Sequence, residues 1–187
     1  MIEKKIPFVG LHAHSVAGSI FDAIGYPNEH MDFCYENGGE ALALTDHGNM
    51  NGFSHQFLHW QKMKDEGKEF KPIFGVEAYF LPSIDEWRDD YDRIKEDKKL
   101  AKSLAKQGDT SGATVEDEDA SKKAIKSVIN RRRHLVLLAQ NQTGLNNLFK
   151  LISASYREEN FYRYPRVDYK MLAEHSEGVI AASACLG

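Results

Sequence analysis

Two histidines one residue apart, His12-Ala13-His14, close a short apolar run near the start of the chain. On extended backbone, residues two apart point to the same side, so both imidazoles can meet one cation or two adjacent ones. Neutral imidazole binds Zn²⁺, Mn²⁺ and Fe²⁺ well. A second pair, Asp46-His47, ends another apolar run, and Gly48-Asn49 behind it suits a tight turn at a strand end. The plainer alternative there is an Asp-capped turn with a solvent-facing histidine. Glu77 lies inside Ile73-Phe74-Gly75-Val76-Glu77-Ala78-Tyr79-Phe80. A carboxylate in so apolar a strand is costly to bury unless it is paired or metal-bound. Asp22 is a further oxygen donor or a loop residue, and His134, before Leu-Val-Leu-Leu, a donor or a polar strand start. Cys185 is a soft ligand or a small buried hydrophobe. His30, His55, His59 and His175 fall on predicted helices among polar neighbours and read as surface or groove histidines. His55 and His59 are i,i+4, but the HExxH context of a metalloprotease is absent.

The elements that must position these residues alternate. Phe8–Leu11 reads as a buried strand, and Asn28 as the N-cap of a helix carrying Met31, Phe33, Cys34 and Tyr35, closed by Gly38-Gly39. A second strand is predicted over Ala41–Thr45. Phe53, Phe57, Trp60 and Met63 then mark one face of a helix that stops near Gly67, before a third strand at Pro72–Phe80. Between Ser83 and Arg133, 25 of 51 residues are charged, 12 acidic and 13 basic, with a Gly/Ser/Thr-rich middle at Gln107–Thr114. Lys and Glu favour helix there, as over Ile84–Ala105, yet little is available to bury; the segment reads as a solvated helical excursion with a mobile tip. Order resumes with a strand at Leu135–Ala139, a helix marked by Leu145, Leu148, Phe149 and Ile152, a short helix capped by Asp168 and ending at Gly178, and a strand at Val179–Ala182. Such alternation predicts an α/β fold with a parallel sheet or barrel, whose chemistry gathers at the C-terminal ends of strands.

The 187 residues, 42% hydrophobic and 28% charged, suffice for one sizeable soluble domain. No run approaches the roughly 18 apolar residues of a membrane span, and the N-terminus shows no signal-peptide pattern. Two cysteines, Cys34 and Cys185, are too few for a disulfide framework, so a reducing cytoplasm fits. A net charge of −4 is no electrostatic footprint for nucleic acid; a polyanion would have to be met through bound cations or other parts of the molecule.

Taken together the segments Phe8–Ser15, Ala41–Met50, Pro72–Tyr79, His134–Ala139, Gly144–Ser153 and Gly178–Gly187 resemble the PHP (polymerase and histidinol phosphatase) family. HxH is shared widely in that family. The TDHGNM, GVEAYF and SACLG segments, in this order, resemble the branch found at the N-terminus of bacterial-type DNA polymerase III alpha subunits. The resemblance covers the chain except the charged excursion. It implies a distorted (βα)₇ barrel, incomplete at the C-terminus, spanning residues 1–187 with 83–133 as a charged, partly mobile insertion. It also implies metal ligands at His12, His14, Asp22, His47, Glu77, His134 and Cys185, holding up to three Zn, Mn or Fe ions, with His12, His14, His47 and Glu77 at the centre of catalysis. The His14–Asp22 loop is one residue longer than the branch's usual pattern. A later Asp-x-His pair of the family site falls beyond this chain, so the resemblance implies a site that these residues do not complete.

Clustered cations activate a water against phosphorus and stabilise the leaving oxygen. The implied substrate is the 3′ end of a nascent DNA strand, giving 3′→5′ exonuclease proofreading. The implied partners are the remainder of the polymerase alpha subunit and other replisome subunits, in the cytoplasm and away from membranes. The rival expectation is a catalytically silent structural module that stabilises the polymerase and contacts partner subunits. A small-molecule phosphatase of the histidinol-phosphate type fits the segments less well.

Overall fold

The computed structural model describes residues 8–106 and 115–184. The predicted mobile tip at Gln107–Thr114 and the candidate ligand Cys185 lie outside the described residues. Elements follow in the order α1 (Pro27–Glu36), β1 (Ala41–Leu44), α2 (Phe53–Asp65), β2 (Lys71–Phe80), α3 (Ile84–Lys106), α4 (Val115–Asn130), β3 (Arg133–Ala139), α5 (Gln142–Ser155), β4 (Phe161–Tyr162), β5 (Tyr164–Val167), α6 (Tyr169–Glu174) and β6 (Val179–Ser183).

The mixed α/β fold is organised by β2. Its first half pairs in parallel with β1, and its second half lies between β3, antiparallel, and β5, parallel. β6 adds to β3 antiparallel and β4 to β5, giving an open sheet among the described residues. The α/β fold is as expected, but the sheet is mixed where the alternation of elements suggested a parallel sheet or barrel. The cause is the charged excursion: β2 ends and β3 begins at the same place, with Phe80 opposite Arg133. A parallel pair needs a crossover to the far end of the sheet. Here α3 carries the chain out, α4 packs against it and returns the chain to its point of departure.

Strand alternation gives β2 and β3 two faces. Val76 and Ala78, with Leu137, pack under Leu148, Leu151 and Ile152 of α5, along with Val167 of β5. The opposite face carries Glu77 and Tyr79, and its apolar floor is Ala43, Val136 and Leu138. On the other side of β1, Met31, Met63 and Phe70 form the core beneath α1 and α2. At Gly144 a Cβ would stand 1.8 Å from the Gly178 carbonyl oxygen, so only glycine lets α5 start against the approach to β6.

Three sequence expectations change. Phe8–Leu11 forms no buried strand: Gly10 makes an isolated bridge to Leu42, and Phe8 is 76% exposed. The backbone bonds explain this, because Ala43 N donates to Gly10 O while Thr45 N donates to Ala13 O. The register slips by one residue between them, and no regular ladder can propagate. Helix α1 is entered at Tyr26, not Asn28, because Pro27 takes the first helical position, where its fixed φ fits and its missing N–H costs nothing. Tyr26 N donates to the Glu29 carboxylate at 2.6 Å. The excursion also has a buried foot: Leu81, Ile84, Trp87 and Val128 form their own cluster.

Arg166 of β5 fastens that foot. It is 0% exposed, its guanidinium lies 4.0 Å from the Trp87 ring centroid, and it donates to the carbonyls of Ile129, Tyr162 and Tyr164. Burial, with the Arg132 charge behind it, lowers its pKa to about 10, so it remains a cation at neutral pH. Arg166→Met removes the donors of three carbonyls and should cost roughly 2–4 kcal/mol. Urea unfolding of both proteins checks this. Equal midpoints would show that the excursion is not held this way.

Candidate metal centre

Four stretches of chain bring their donors to one point above β2. The segment 10–14 runs beside β1 on the two backbone bonds already described, which carries His12 and His14 toward the sheet. Past the end of β1 the pairing with β2 resumes at a single bridge, His47 to Glu77: Glu77 N donates to Asp46 O at 3.0 Å and Gly48 N to Glu77 O at 2.8 Å. Gly48 has φ +65°, and a Cβ there would meet Pro165 at 2.8 Å and Tyr79 at 3.0 Å, so the turn that presents His47 requires glycine. His134 arrives on β3 opposite Tyr79, one step along the same face from Glu77.

Glu77 is the centre. Its side chain is 1% exposed, and four imidazoles surround it. Oε2 lies 3.0 Å from His12 Nε2, 2.7 Å from His14 Nε2 and 3.1 Å from His47 Nδ1. Oε1 lies 2.7 Å from His134 Nδ1. Asp22, on the loop after His14, reaches His47 Nε2 at 2.6 Å and His14 Nδ1 at 3.7 Å. His12, His14, Asp22, His47, Glu77 and His134 are thus all gathered. Their donor atoms form three overlapping groups: His12/His14/Glu77, His14/Asp22/His47 and His47/Glu77/His134. His30, His55, His59 and His175 join no such group among the described residues. His59 pairs with Asp32 at 2.8 Å, and His175 Nδ1 meets Met171 O.

The electrostatics follow from this crowding. Burial pushes the Glu77 carboxyl up, but hydrogen bonds from His14 and His12 and the nearby His47 and His134 outweigh it and hold the pKa at about 2. The Glu77 hydrogen bond raises His14, against the effect of burial, while burial lowers His134 despite the Glu77 attraction. Glu77 Oε1 and His47 Nδ1 are both buried without a directed hydrogen bond. Buried polar atoms are seldom left so. Imidazole nitrogens and carboxylate oxygens gathered this closely form a donor set that suits divalent metals.

Asp46 is not among the convergent donors. It is buried and holds the loop in place: Ser15 N and Ser15 Oγ donate to it at 2.6 and 2.8 Å, and Ser19 Oγ at 3.0 Å. Ser19 Oγ in turn accepts from His47 N. This supporting network was not foreseen from the sequence, although Ser15 directly follows a candidate ligand. Tyr79 was also missed; its ring lies parallel to His47 with centroids 5.9 Å apart and packs edgewise on His134.

The chain belongs to the PHP family, whose domain matches residues 10–187. It is 34% identical over 96% of its length to the DNA polymerase III subunit alpha of Aquifex aeolicus, and 34% identical over 97% to that of Treponema pallidum. Against the same subunit of Helicobacter pylori it is 36% identical over 100% of the chain. It spans 12% of each of these relatives.

A carboxyl whose folded pKa lies below its unfolded one stabilises the fold above the unfolded value and loses that contribution as pH falls through the folded one. For Glu77 the window runs from the ordinary 4.5 down to about 2. Chelator-treated protein should therefore lose stability steeply across that window, and Glu77→Gln should lack this part of the acid-unfolding curve. An identical acid slope in the two proteins would remove Glu77 as its source.

Proposed function

We propose that this chain is the PHP portion of a replicative DNA polymerase III alpha subunit, with residues 83–133 an insertion in one PHP unit. In this reading His12, His14, Asp22, His47, Glu77 and His134 hold up to three divalent ions (zinc, manganese or iron) for phosphodiester hydrolysis at a DNA 3′ end. The observation that carries it is the buried Glu77 carboxylate shared by four imidazoles. Similarity to polymerase alpha subunits along the whole chain supports the choice of substrate. A cytoplasmic place and contacts with the rest of the alpha subunit and other replisome subunits follow from the same reading. No helix among the described residues is long and apolar enough to cross a membrane.

When bound, the ions supply Lewis-acid activation of water and neutralise charge on the phosphate. The chain supplies the rest. Glu77, ionised at any working pH, would serve as a carboxylate ligand to the ions. His12 and His14 close one side, and His47 with Asp22 another. The Asp46–Ser15–Ser19 network fixes the loop so that these donors do not drift apart.

A second reading, a structural module that contacts the rest of the polymerase without hydrolysis, draws on the exposed Ile20, Phe21 and Ile24 around Asp22. Metal analysis and a gel assay on a 3′-recessed primer separate the two. Proofreading predicts bound metal and shortening of the primer. His12→Ala should lose both, with metal affinity falling by at least the roughly 10–100-fold that removing a supporting partner costs such a site. Metal retained without any shortening would leave the structural reading standing.

A further inference from the structure

We propose that Arg132 is an anion-binding residue that grips a phosphate of the substrate strand next to the one being cleaved. The proposal rests on the phosphodiesterase reading and narrows its substrate to a chain carrying more than one phosphate.

Arg132 stands two residues before His134, at the edge of the metal centre. Its guanidinium lies 3.9 Å from the ring centroid of Tyr164 and 5.2 Å from that of Tyr79. Those two rings touch each other edgewise, with centroids 5.2 Å apart, and Tyr79 is the ring that lies parallel to His47 and against His134. The guanidinium is therefore one ring removed from the cluster. That is too far to share in binding the ions, and close enough for its charge to contribute to lowering the His134 pKa.

Three nearby arginines already have partners. Arg131 pairs with Asp90 at 2.7 Å, Arg93 pairs with the same carboxylate at 2.8 Å, and Arg166 spends its donors on three carbonyls. Arg132 makes one hydrogen bond, Nη1 to Asn130 O at 3.0 Å, and has no carboxylate partner among the described residues. The tyrosine faces attract the cation but cannot accept its in-plane N–H groups. They orient the planar fork instead, which lowers the entropy lost when it closes on a phosphate.

The chain's net charge of −4 repels a polyanion. The ions answer that repulsion at the reacting phosphate, and the Arg132 guanidinium one ring away answers it at the next. A phosphomonoester of a small molecule would have no group to place there. The combination therefore favours a strand over a small ester.

The test compares the parent chain, Arg132→Met and Arg132→Lys on two substrates with Mn²⁺: a single-stranded oligothymidylate, and bis(4-nitrophenyl) phosphate, which has a single phosphorus. Metal content is measured for all three. Arg132→Met should raise KM on the oligonucleotide by roughly 10-fold, at least several-fold more than on the small diester, and should lower the salt dependence of strand binding by about one charge. Arg132→Lys should recover part of the loss. Equal losses on both substrates, or none, would overturn the proposal. If the parent hydrolyses neither substrate, the hydrolytic reading fails by itself. The subsite is then judged by fluorescence anisotropy of a 5′-labelled oligothymidylate, where unchanged affinity in Arg132→Met, or no binding by the parent, counts against it.

Discussion

Everything near the site is arranged around one fact of solvation: an ionised carboxylate, Glu77, is buried in the central strand of the sheet. An uncompensated charge there would cost far more than a domain of this size can spare. Compensation must come from groups that meet it in three dimensions, and no single element can deliver them. Hence the 10–14 segment, the turn after β1 and the start of β3 all converge on Glu77, each bringing imidazole. The β2–β3 register makes this possible, because pairing Tyr79 with His134 sets that histidine one position from the carboxylate on the same face.

Imidazoles alone are an imperfect answer. To satisfy Glu77 in the absence of ions they must share protons among themselves, with His14 raised and His134 lowered in pKa. The buried Glu77 Oε1 and His47 Nδ1 are met only within this cluster, by His134 Nδ1 at 2.7 Å and Glu77 Oε2 at 3.1 Å. Cations resolve the conflict without protons. The Asp46 network does a different task with similar chemistry: its carboxylate takes three hydrogen bonds from Ser15 and Ser19 and joins none of the convergent donor groups among the described residues. Two buried acids thirty-one residues apart in sequence thus divide the work, one facing the donors and one bracing the loop.

Much of this was legible in the residues. A glutamate in Ile-Phe-Gly-Val-Glu-Ala-Tyr-Phe announces a buried charge, and histidines at the ends of apolar runs announce what meets it. Helices α2 and α5 and strands β1, β2 and β3 follow their apolar spacing within a residue or two. What failed depended on partners distant in sequence. The extended look of Phe8–Leu11 is real, but its register slip beside β1 is a tertiary property. The β4–β5 hairpin went unseen because its tip is Arg163, a non-glycine at φ +59°, with no Asn-Gly or Asp-Gly to signal a turn. The antiparallel return of β3 was hidden by the long excursion, since alternating strands and helices normally signal crossovers.

The excursion explains how the site tolerates so charged a neighbour. Its two ends meet where Phe80 pairs with Arg133, directly beside His134. Closing a longer loop costs only slightly more entropy with each added residue, so its length is almost free provided its ends are clamped. The clamp is the foot, Ile84, Trp87 and Val128 on Leu81, tied to β5 by Arg166. Over residues 83–133, 12 acids nearly balance 13 bases, so the excursion adds little net field at the metal centre. The same clamp sets the line of residues from Asn130 to His134, and with it the angle at which Arg132 lies on its tyrosines. Variation in the outer helices is thereby decoupled from the chemistry, whereas any change in the foot passes directly into the placement of His134 and Arg132.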